Sequence, residues 1–263
     1  MPSTKEPQTQ EKDRDKSSVI LGERYVVHMG QIISEFMHDL PLRRVFVFKA
    51  TDLLNEDRLM MAFMADKNMM PRYNVLEKLK KLSNVHILTP EFYERKTIGG
   101  DFGSLLFVVA PLPGTLVFPD AGKEKIPAWT ELDVRERFIR PIVNVLAELE
   151  NSSLSYRALS LSNIFYTDHT KTSIMIGECF MGHPGWRVPS GIEPLEMMLI
   201  DPACKGGYNS SAGDIYNLGM LSLYLLEGGN PVDNLSIEDL LFKKTTNGTM
   251  ATFMADKRYS LDT

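Results

Sequence analysis

Apolar residues in the first 110 positions recur in short runs with two-residue spacing or in continuous blocks. They fall at 25–27, at Val45, Val47 and Phe48, at 59–64, and at 104–109. Runs of four to eight residues of this kind, bounded by polar or Gly-containing stretches, predict strands. The polar segment 51–57 between the second and third runs predicts a hairpin, and 85–88 reads as a further strand. One interruption has helical period: Val75, Leu79 and Leu82 share a face, with Lys78, Lys80 and Lys81 elsewhere, which predicts a helix over 74–82.

The period then lengthens. Thr130 followed by Asp133 forms a capping-box-like start, and Val134, Phe138, Ile142, Val145 and Leu149 mark a helix to about residue 150. Pro141 lies inside it, where a missing N–H and a ring clash predict a kink or a lost bond. Two short apolar runs, 163–166 and 174–176, read as strands, and a Gly/Pro-rich stretch, 181–194, as irregular chain. A short helix is predicted at 193–199. A longer one runs from Asp214 through Leu218, Leu221, Leu225 and Leu226 and stops at Gly228, Gly229, Asn230 and Pro231. The pattern is therefore α+β, with a small β-rich part followed by a larger helical part.

Composition changes this picture little. The chain of 263 residues is 43% hydrophobic and 24% charged, with a formal net charge of −5, an ordinary balance for a globular protein. It has no long basic block, so nucleic acid is not an expected partner, and no apolar run of membrane-spanning length. Two cysteines, Cys179 and Cys204, are too few for a disulfide framework. Their spacing with His183 matches no zinc pattern. With no apolar segment near the N-terminus, the expected location is cytoplasmic. Residues 1–19 are polar and charged and read as a disordered leader.

The chemistry-bearing stretch is 156–164, Tyr-Arg-Ala-Leu-Ser-Leu-Ser-Asn-Ile. Beside the kinase catalytic loop H-R-D-L-x-x-x-N it retains Arg157, Leu159 and Asn163. Tyr156 stands at the His and Ala158 at the catalytic Asp. Further landmarks follow in order. Residues 45–52 and 59–65 resemble the second and third small-lobe strands, and 107–112 resembles the strand that ends at the adenine hinge. Residues 174–180 lie where a strand leads into D-F-G, with Gly177-Glu178-Cys179 there. Asp214 through Gly219 resembles D-x-W-S-x-G. From about residue 24 onward the chain resembles the protein-kinase-like superfamily, most closely a bacterial Ser/Thr-kinase-related group with degraded motifs.

The resemblance implies a bilobal fold, with an N-lobe and hinge at 20–112 and a C-lobe at 113–263 that reads as incomplete after the Asp214 helix. It places Phe63 at the phosphate-binding Lys, Val75 where that Lys would find its Glu, and Glu178 at the metal-binding Asp. No glycine-rich roof is present, since Gly30 is the only glycine between Arg24 and Arg44. A literal Asp101-Phe102-Gly103 precedes the catalytic stretch and is assigned to a small-lobe turn. Val109 is read as the gatekeeper, with the Ala110 carbonyl and the Leu112 N–H left to bind adenine. Asn163 and Glu178 are the remaining candidates for Mg·nucleotide. Arg157 and Asp214 are assigned structural roles, Arg157 pairing with Glu178. A general base contributes about 10²–10⁴-fold, so the expectation is a catalytically inactive pseudokinase that needs no cofactor and works by binding a protein partner. Two alternatives stay open: a divergent ATP-dependent phosphotransferase using Glu178 and Asn163, and a sensor that binds nucleotide at the hinge without metal.

Overall fold

The computed structural model describes residues 18–34, 38–40, 43–65, 72–98, 103–119, 125–167, 170–181, 194–199, 211–231 and 235–254. Residues 1–17 of the expected leader, residues 101–102 of the literal D-F-G, most of the 181–194 segment with its sole hydroxyl Ser190, and Cys204 lie outside this set.

The small part is one antiparallel sheet of β1 (Ser18–Leu21), β2 (Tyr25–Ile32), β3 (His38–Leu40), β4 (Arg43–Asp52), β5 (Leu59–Ala65), β6 (Phe92–Ile98) and β7 (Gly103–Pro111). The order is β1-β2-β4-β5-β7-β6, with β3 also pairing with β4. The β4–β5 hairpin forms as the pattern predicts, with Val47 opposite Phe63. Three strands, β1, β3 and β6, escape the sequence reading. β1 begins at Ser18, two residues before the boundary drawn for the leader. β6, Phe-Tyr-Glu-Arg-Lys-Thr-Ile, carries three charges in the middle of its seven residues, which hides its alternation. The predicted strand at 85–88 contributes one isolated bridge, Ile87 to Ile176.

Strand alternation divides the sheet's side chains into two sets. Leu105, Phe107 and Val109 join Phe48, Met60, Ala62 and Met64 on the outer face. Leu106, Val108 and Ala110 join Val45, Val47, Met61 and Phe63 on the inner face. This inner set is continuous with α1 (Tyr73–Leu79), through Val75, Leu76 and Leu79, and with the helical part as far as Leu221 and Leu225. The two parts share one core.

The helical part begins with α2 (Glu131–Asp133), where Thr130 accepts the Asp133 N–H as the capping box predicts. A π-helical segment, Val134–Ile139, follows and then α3 (Arg140–Asn151), with Pro141 in its first turn. The Arg140 N–H reaches back five residues to the Arg135 carbonyl. Widening the helix just before the proline is how the chain accommodates a ring that would collide with the carbonyl four residues earlier. Next come β8 (Ile164–Tyr166) paired with β9 (Ile174–Ile176), α4 (Leu195–Met198), α5 (Ser211–Glu227), α6 (Ile237–Asn247) and α7 (Thr249–Met254). The last two were not foreseen. α5 ends at Gly228, whose φ is +68° and whose added Cβ would lie 2.5 Å from the Ile126 carbonyl oxygen, so only glycine fits this turn. Among the described residues, no helix is long and apolar enough to cross a membrane.

Candidate functional site

The stretch 156–163 lies between α3 and β8, and helix α5 holds it from below. Arg157 has φ of +58°, a left-handed conformation uncommon outside glycine. Both carboxylate oxygens of Asp214 accept its N–H at 2.9 Å, and the Tyr156 N–H donates to the same carboxylate. Asp214 is almost completely buried, and desolvation pushes its pKa up to about 7 against the opposing pull of these N–H donors. The Asn217 amide, one turn on, donates to the Leu159 carbonyl at 3.3 Å. Thus α5 meets the loop backbone through two side chains, Asp214 and Asn217.

That burial gives a pH dependence of definite sign. The folded-state pKa of Asp214 is raised above its unfolded value, so its stabilisation is complete below about pH 4 and is lost as pH rises through about 7. The melting temperature of the native chain is expected to fall across this window relative to Asp214→Asn, whose side chain does not titrate. Parallel profiles for the two proteins would contradict the assignment.

Above the loop, Tyr156 is fully buried, and its hydroxyl donates to the Gly177 carbonyl at 3.0 Å. The Asn163 amide nitrogen lies 2.8 Å from that hydroxyl and 3.0 Å from the carbonyls of Ala158 and Glu178. Two carbonyl acceptors fix which end of the amide is nitrogen. The amide oxygen has no hydrogen-bond partner and points at Gly177, where an added Cβ would lie 2.1 Å away. Glycine at 177 is what leaves room for the Asn163 amide, since a Cβ there would also lie 2.7 Å from the Phe165 ring.

Glu178 corrects the sequence reading. Its Oε2 accepts the N–H groups of Phe180 at 2.7 Å and Met181 at 2.8 Å. Through Oε2 the carboxylate braces its own loop. The pairing expected between Arg157 and Glu178 is replaced as well, because Arg157 Nε donates to Ser155 Oγ at 2.8 Å. Cys179 is buried, as expected of a small core residue.

Phe63 is 1% exposed and meets the Phe180 ring edge-on, centroids 5.6 Å apart at 88°. Burying such a ring stabilises by about 1.5–3 kcal/mol, with about 0.5–1.5 more from this geometry. Ile33, from the end of β2, enters the same inner cluster, and its N–H donates to the Val47 carbonyl. The place of a phosphate-binding lysine is thus closed with apolar side chains.

Val109 points to the outer face, and the inner residues opposite Met61 and Phe63 are Ala110 and Val108. The Leu112 N–H, the donor first assigned, is held by the Leu59 carbonyl at 3.0 Å, extending the β5–β7 ladder.

Two cations missed by sequence reasoning hold α1 against this site. Arg72 sits at the start of α1, its N–H on the Phe180 carbonyl at 3.0 Å. Its guanidinium donates to the carbonyls of Tyr156 at 3.2 Å, Cys179 at 2.9 Å and Ser155 at 3.2 Å. Lys78 Nζ donates to the carbonyl of Ser152, just past α3, at 2.8 Å, where terminal carbonyls and the helix dipole favour a cation. Glu77 faces away and accepts the Tyr93 hydroxyl. Their acceptors are backbone carbonyls, which leave no mark on the sequence.

No protein-family model matches this chain, and no curated protein matches it. Among solved structures, the crystal structure of Rad53 1–466 in complex with AMP-PNP is similar, with a TM-score of 0.65 at 18% identity. The match covers 88% of this chain and 57% of that one. Rad53 is a protein kinase, and the likeness shows the fold: bilobal, protein-kinase-like and α+β.

Proposed function

We propose that this chain is a pseudokinase, a kinase-fold protein that binds a protein partner as a scaffold or allosteric element and transfers no phosphoryl group. One observation carries the proposal: Phe63, 1% exposed and edge-on to Phe180, packs apolar rings at the position the resemblance gives to the phosphate-binding lysine. Phosphoryl transfer needs a lysine on the phosphates, Mg²⁺ ligands and a base. Phe63 and Phe180 fill the first position. Glu178, at the metal-binding position, accepts the Phe180 and Met181 N–H groups through Oε2, and Ala158 stands at the base. Rad53 in the similar structure holds AMP-PNP, whereas this chain, sharing its fold, has Phe63 at the lysine position and Ala158 at the base position. The cation clamp from α1 fits a scaffold, because it fixes the relation of the two lobes without a ligand.

The test is the melting temperature in millimolar ATP, with and without Mg²⁺. A ligand at ~100 times its dissociation constant adds about 2.7 kcal/mol, or about 2–4 °C for a chain of this size. No shift is expected in either condition. A shift that requires Mg²⁺ would favour a phosphotransferase, and a shift without it would favour a nucleotide sensor.

A further inference from the structure

Between α1 and β6 the chain leaves the sheet and joins the helical part. The Leu88 N–H donates to the Ile176 carbonyl at 2.9 Å, and the Ile176 N–H returns to the His86 carbonyl at 2.9 Å. These bonds bracket the parallel bridge of Ile87 with Ile176, so 86–88 adds a short strand to the β8–β9 hairpin. On the hairpin's other edge, the Val117 N–H donates to the Ile164 carbonyl and the Tyr166 N–H to the Thr115 carbonyl, both at 2.9 Å. The result is a ribbon in the order 115–117, β8, β9, 86–88. The chain passes from the sheet to the helical part before β6 and again after β7, and both passages are stitched into this ribbon.

Side chains reinforce the first passage. His86 Nδ1 lies 2.7 Å from the Ile174 carbonyl, which can only accept, so Nδ1 carries the hydrogen. Asn84 Nδ2 donates to Glu148 Oε2 on α3 at 2.7 Å, while its Oδ1 accepts the His86 N–H at 2.9 Å and holds the turn in shape. Arg72 and Lys78, on the carbonyls of Cys179 and Ser152, begin the same stretch. Ile87 and Leu88 are buried in the inner cluster with Leu149 and Ile176.

Two lobes joined by a hinge move relative to each other by default, unless a large apolar interface or further connections prevent it. Both conditions are met here. We infer that residues 72–88 act as a strap that holds the two lobes in one arrangement, with or without a ligand, so that they do not open and close. The inference goes beyond the pseudokinase reading and does not rest on the missing catalytic groups, because backbone carbonyls, Glu148 and the shared core supply the strap's partners. A partner of this chain therefore meets one fixed shape built from both lobes.

Pulsed electron-spin distance measurement on the full chain tests it. Spin labels are placed at Leu54→Cys, between β4 and β5, and at Phe242→Cys on α6, both exposed positions, with Cys204→Ser in the background. One narrow distance is expected, unchanged by millimolar ATP with or without Mg²⁺. The variant Lys78→Ala, Asn84→Ala, His86→Ala is expected to stay folded by circular dichroism and to broaden the distribution at least ~2-fold as the lobes begin to move about the hinge. Should that variant fail to fold, Lys78→Ala and His86→Phe each serve alone, with a smaller broadening expected. A broad or two-peaked distribution in the native chain, a distance that changes with ATP, or a folded strap variant as narrow as the native chain would each overturn the proposal. Melting in ATP is a separate readout: stabilisation at an unchanged distance would favour the nucleotide sensor and leave the strap standing.

Discussion

Asp214→Ala is expected to lower the unfolding free energy by about 2–4 kcal/mol at pH 6, the largest loss from any one carboxylate in this chain. The substitution removes the acceptor for the Arg157 and Tyr156 N–H groups, and a buried donor left unmatched costs about 1–3 kcal/mol. It also frees Arg157 from the contact that holds it at φ of +58°. That residue then relaxes toward an ordinary conformation, and the loop bearing Ala158 and Asn163 shifts with it. Urea unfolding measures the loss, and amide exchange at 156–163 locates it. An Asp214→Ala protein within about 0.5 kcal/mol of the native chain would show that α5 does not support the loop.

The second large effect is expected at Arg72. Arg72→Ala removes donors from the carbonyls of Ser155, Tyr156 and Cys179, which come from two separate segments. Bonds to a charged donor contribute about 1.5–3 kcal/mol each when isolated, but these share one guanidinium, so a loss of about 2–4 kcal/mol is expected. Arg72→Lys recovers only a small part, because one ammonium does not reproduce a planar fork reaching diverging acceptors. Hydrogen exchange supplies the specific readout: protection is lost across α1 and the 178–181 turn while β4 and β5 retain theirs. Uniform loss across the whole chain would mean that Arg72 contributes only to global stability and does not lock α1.

The identity of Phe63 is legible in the sequence, but its facing is not, because β5 is apolar at every position; only the β4–β5 register places it opposite Val47 on the inner face. Asp214 lies in the first turn of a helix with an unmistakable apolar run and a glycine stop. The outward facing of Val109 was hidden because Val108, Val109 and Ala110 form a continuous apolar block. In a strand covered on both faces alternation is invisible, and only the pairing of Met61 with Ala110 and of Phe63 with Val108 shows which side chains face inward. Glu178 was misread because a carboxylate near a degraded metal motif suggests a ligand, whereas its direction is set by a tight turn that returns it to Phe180 and Met181.

The sequence by itself determined the α+β division and the order of its elements, because residue identity and short-range periodicity carry that information. Tertiary structure decided what holds the 156–163 loop. The Tyr156–Asn163–Gly177 cluster and the Arg72 clamp depend on backbone carbonyls brought together from segments up to 107 residues apart. A carbonyl is identical at every position, so these contacts cannot be read until the chain is folded.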